Sequence, residues 1–154
     1  MADAPTFTTE LAPAYVKRRE TMMTIFPAAH GFLIGLERLA GAGGRGYHLA
    51  TSDNVHLYLD RRFLAHVRLE LAVPEAPRLS LLAKPKLGLK VGTGDGSNMF
   101  FGSRLERLIA KHDGFKMGWT EKNGKNGDRE RVFSAAAPSE FFHDLLTAIG
   151  ELPR

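Results

Sequence analysis

His48, His56, Tyr58, His66 and Arg68 fall within a short stretch of the chain, and all carry even numbers. Imidazoles exchange protons near neutral pH. A guanidinium grips phosphate or carboxylate through paired N–H groups, and a tyrosine ring offers a base a surface to stack on. Arg78, Lys84, Lys86 and Lys90 continue the even-numbered series with positive charge. Residues 61–90 hold seven Lys/Arg against two Asp/Glu, whereas the flanking segments are close to neutral. The net charge of +4 therefore originates here. A local excess points to an anionic partner more directly than a total does.

These side chains act together only if one surface collects them, and the apolar period predicts that it does. Tyr47 and Leu49 alternate with His48 and Ala50; Val55, Leu57 and Leu59 alternate with His56 and Tyr58. Phe63, Ala65, Val67, Leu69, Leu71 and Val73 are spaced by His66, Arg68 and Glu70. Leu79, Leu81, Ala83, Leu87 and Leu89 are spaced by Ser80, Lys84, Lys86 and other polar residues. A period of two belongs to a strand with one dry and one wet face. Pro85 has no N–H to donate, so the fourth strand is expected at an edge or with a bulge.

Loop lengths set which residues face each other. A three-residue loop over 52–54 pairs Thr51 with Val55 and places His48 opposite Tyr58. A three-residue loop over 60–62 pairs Leu59 with Phe63, places His56 opposite His66, and places Tyr58 opposite Leu64. His48 then lies diagonal to His56, about 7 Å away.

The flanking segments carry a helical period. Leu11, Tyr15, Met22 and Phe26 share a stripe that Pro27 ends; Phe32, Leu33, Leu36 and Leu39 share a second, ended by the glycine-rich 41–46. Ser103-Arg104-Leu105-Glu106 has capping-box spacing and predicts a helix start there, with a stop at Asp113-Gly114. Phe115, Met117 and Trp119 and then Arg131-Val132-Phe133 form a hairpin about the turn 123–128. Pro138 opens a last helix with Phe141, Phe142, Leu145, Leu146 and Ile149 on its core side. The expected fold class is α+β: an antiparallel four-stranded meander preceded by two helices and followed by helix–hairpin–helix. The helices lie mainly on one sheet face, in one domain spanning residues 1–154.

On that fold, His48, His56, Tyr58, His66, Arg68, Arg78, Lys84, Lys86 and Lys90 form a binding face. The leading expectation is a small non-enzymatic module that engages an anionic partner, nucleic acid first. The same face could instead work as a metal-independent ribonuclease. His56 or His66 would then be the acid or base, Arg68 the phosphate clamp, and Glu70 or Tyr58 a support. A third use is docking on an acidic protein surface, as an inhibitor, immunity or adaptor protein. Plain solvation competes with all three, because exposed strand positions carry polar residues anyway and lysine blunts edge pairing.

Other classes are excluded or not expected. With 44% hydrophobic and 25% charged residues, wholesale disorder is excluded. The chain has no cysteine, which removes disulfides, thiolate metal sites and cysteine nucleophiles. No cofactor or metal is expected, since His56 and His66 lack a third ligand. The glycine-rich 91–98 lacks the Gly-Lys-Ser/Thr of a phosphate-binding loop. No Gly-x-Ser-x-Gly nucleophile elbow occurs. Asn123-Gly124-Lys125-Asn126-Gly127 is read as a solvated turn tip, and His30, His112 and His143 as structural or exposed. Met1-Ala2-Asp3-Ala4-Pro5 carries an acid and no apolar stretch, and no run approaches the roughly 20 apolar residues of a membrane helix. A cytoplasmic address without a membrane partner is therefore expected; the oligomeric state is left open.

Overall fold

A computed structural model describes residues 11–41, 46–70, 85–92, 96–112, 119–123, 129–134 and 137–152. In chain order the elements are α1 (Pro13–Ile25), α2 (Pro27–Gly41), β1 (Tyr47–Thr51), β2 (Val55–Leu59), β3 (Arg62–Glu70), β4 (Lys86–Val91), α3 (Gly96–Lys111), β5 (Trp119–Asn123), β6 (Arg129–Ser134) and α4 (Ser139–Gly150). The class is α+β, as the two apolar periods predict. Arg78 and Lys84 lie outside the described residues. So do Leu71–Ala83 of the expected third and fourth strands, the 113–118 segment with Phe115 and Met117, and the 124–128 turn.

Proline sets the helix starts. Pro13 opens α1, and Pro27 opens α2 with only Phe26 between the two helices. The missing N–H of proline costs nothing in a first turn. Tyr15, Met22 and Phe26 are buried, as are Phe32, Leu33 and Leu36 from α2. The α4 stripe meets both: Phe142 packs edge-on to Phe26 at 5.6 Å, and Phe141 lies 4.7 Å from Phe133 of β6. The buried Tyr47 hydroxyl donates to the Ile149 carbonyl and ties β1 to the end of α4. α3 starts at Gly96, before the capping box expected at Ser103, so Ser103 and Glu106 sit inside a helix. Glu106 accepts a hydrogen bond from Arg131 instead.

The four-stranded meander is part of a larger sheet. Among the described residues it has six strands in the order β1-β2-β3-β4-β6-β5, every neighbouring pair antiparallel. β4 is therefore an interior strand, not an edge. Pro85 is accommodated because it sits just before Lys86, the first strand residue, where no ladder donor is required.

The turn between β2 and β3 also departs from expectation. It has two residues, Asp60 and Arg61, with φ of 50° and 68°. Two left-handed residues in a two-residue loop are the arrangement whose twist suits a hairpin. Leu59 pairs with Arg62, and Tyr58 with Phe63 rather than Leu64. A bulge then restores the expected register, so Leu57 pairs with Ala65 and His56 with His66. Leu64 and Ala65 are both fully buried, while Phe63 turns to the opposite face.

Odd-numbered Leu49, Val55, Leu57, Leu59, Val67, Leu69, Leu87 and Leu89 are buried in one core with the helices. α2 packs against β1 and α4, and α3 packs against β3, β4 and α4. No helix among the described residues is long and apolar enough to cross a membrane.

Candidate functional site

The even face of the sheet carries a continuous row of rings. His48 pairs with Tyr58 across β1–β2, their rings 6.0 Å apart and tilted by 43°. The Tyr58 ring meets Phe63 at 5.7 Å, and Phe63 meets His56 at 5.7 Å. His56 and His66 stack face to face, 4.5 Å apart and 18° from parallel. These side chains are all partly exposed. Phe63 is the member that sequence reasoning missed. Its signal was the unbroken apolar triplet Phe63-Leu64-Ala65, which a period of two cannot accommodate without a bulge.

Beyond His66 the face becomes charged. His66 pairs with Lys90, Arg68 with Gly88, and Glu70 with Lys86. Lys90 in turn pairs with Glu130 of β6. Arg68 reaches across Gly88 to Glu130: Nη2 donates to Oε1 at 2.5 Å and Nε at 3.1 Å, while Nη1 donates to Glu70 Oε2 at 2.8 Å. A Cβ on Gly88 would stand 2.6 Å from Glu130 Oε1, so the glycine makes room for this ion pair. The hydrogen bond that Arg68 donates to Glu130, ahead of the one to Glu70, raises the Arg68 pKa above its already high ordinary value.

The face is thus less basic than the chain segment that supplies it. Arg68, Lys86 and Lys90 share it with Glu70 and Glu130, and both carboxylates hold Arg68. Glu130 comes from a strand distant in sequence, which is why the count over residues 61–90 did not register it. Burial, and then the charge of His56, push the His66 pKa below its ordinary 6.5.

The other histidines lie elsewhere. His112, at the end of α3, sits with Nε2 2.9 Å from Asp144 Oδ2, and Lys111 donates to the same oxygen at 2.9 Å. His143 is exposed on α4. Among the described residues no group of three or more His, Cys, Asp or Glu could hold a metal ion. Neither a known protein family, nor a curated protein, nor a solved structure matches the chain.

Proposed function

We propose that this chain is a single-stranded nucleic-acid binding module that lays bases on the even face of its sheet. The observation that carries this reading is the unbroken row His48–Tyr58–Phe63–His56–His66. Unpaired bases expose their flat faces and stack on such rings, whereas a duplex hides them. Lys90 and Lys86 flank the row and suit phosphates. Arg68 contributes less, because Glu130 and Glu70 already neutralise it.

The ribonuclease alternative fits the geometry less well. Its acid and base must address opposite sides of a phosphorus. His56 and His66 are stacked ring on ring and leave no gap between them. Docking on an acidic protein is also disfavoured, since it gives the row of rings no part to play.

Fluorescence anisotropy with labelled single-stranded RNA and DNA tests the proposal. Tyr58→Ala and Phe63→Ala are each expected to weaken binding roughly tenfold, and Lys90→Glu to flatten the dependence on salt. Absence of binding by the wild type at low salt, or full binding by both ring variants, overturns it.

A further inference from the structure

One end of the ring row opens into a depression that the row itself does not fill. It has a volume of about 650 Å³ and is lined by Gly46, His48, Ala50, Tyr58, Asp60 and Arg61. Small-ligand sites commonly span roughly 300–1,000 Å³ and combine apolar walls with a few placed polar groups. Here the walls are the two tilted rings and the Ala50 methyl. The consecutive turn residues Asp60 and Arg61 supply the charged part of the described lining.

The backbone holds that turn in place. Asp60 and Arg61 both have positive φ, and the Asp60 N–H donates to the Gly46 carbonyl at 3.1 Å. Gly46 itself has φ +78°, and a Cβ there would stand 2.1 Å from Asp60 Oδ1. The carboxylate therefore occupies space that a glycine leaves open, on the rim beside Tyr58.

We propose that this depression takes one guanine nucleotide of the bound strand. The inference rests on the strand-binding proposal and adds a base preference to it. The base lies against Tyr58 and His48. Guanine has two adjacent donors on its pairing edge, N1–H and the N2 amino group, and one carboxylate can accept both. Adenine presents a bare N1 acceptor there, which a carboxylate repels. Arg61 supplies positive charge for the phosphate.

Calorimetric titration with guanosine monophosphate, adenosine monophosphate and inorganic phosphate tests this, alongside anisotropy with a guanine-containing oligonucleotide. The guanine nucleotide is expected to bind ~10-fold or more tightly than the adenine nucleotide, and phosphate far more weakly than either. Asp60→Asn, a residue that tolerates positive φ, should erase the preference. Ala50→Phe should fill the depression and abolish mononucleotide binding while leaving oligonucleotide binding on the rest of the row.

Equal affinity for the two nucleotides overturns the guanine site, as does a preference unchanged in Asp60→Asn or phosphate binding as tight as the nucleotide. Oligonucleotide binding without any mononucleotide binding also overturns it but leaves the strand-binding proposal standing. A guanine preference that depends on Asp60, with no oligonucleotide binding, supports the pocket and overturns the strand. If nothing binds, both fall.

Discussion

His66 illustrates how one position on the ring row responds to its surroundings. It stacks on His56 from β2, faces Lys90 from β4, and has Arg68 two residues along β3; Glu130 of β6 acts against these cations. Burial and the neighbouring positive charges favour its neutral form in the folded protein. The unfolded chain takes up a proton below about 6.5, and the folded chain only at lower pH. Stability from this residue is therefore complete above that value. It is lost as pH falls from there through the folded pKa. Urea unfolding at mildly acidic and neutral pH should show this loss in the wild type and a smaller one in His66→Gln. An identical pH dependence in the two proteins would contradict the account. The opposition of His56 and His66 was expected from a three-residue loop, and it holds because a bulge offsets the shorter, two-residue turn. The partner of Arg68 was not legible in the sequence, because Glu130 arrives from a strand whose sheet neighbour no local pattern specifies.

At the level of elements, the β2–β3 hairpin decides which rings join the row. Three apolar residues in succession, Phe63-Leu64-Ala65, break the period of two. The bulge buries Leu64 and Ala65 together and turns Phe63 onto the even face beside Tyr58. The two-residue turn places Asp60 and Arg61 in left-handed conformations that cost a non-glycine residue about 1–2 kcal/mol each. Arg61→Gly is thus expected to raise stability by about 1 kcal/mol, read from the urea midpoint, with His56 still opposite His66. A neutral or destabilising result would mean that Arg61 makes contacts worth as much as the relieved backbone. Asp-Arg lacks the glycine or asparagine that advertises such a turn, so a three-residue loop was the natural expectation from sequence.

Across the whole molecule, the described helices and the ring row take opposite sides of one sheet. The odd face is closed by α2 and α3, with α4 bridging between them and Tyr47 pinned to the Ile149 carbonyl. The even face carries the rings and charges. Reading residues 1–154 as one domain predicts a single cooperative unfolding transition, since the helices and sheet share one core. Far-UV circular dichroism and Trp119 fluorescence should trace coincident curves in urea. Two separated midpoints would instead place a boundary within the chain.

Local pattern was sufficient for much of this molecule. Alternation of apolar and polar residues specifies which side of a strand is dry, and a stripe every three or four residues specifies a helix face; both depend on near neighbours in the chain. The α+β class and the even-face placement of His48, His56, Tyr58 and His66 follow from that alone. Long-range packing chose β6 beside β4 and Glu130 across Gly88 from Arg68. Each joins segments whose meeting depends on how the whole core closes, and a one-dimensional period contains no term for that.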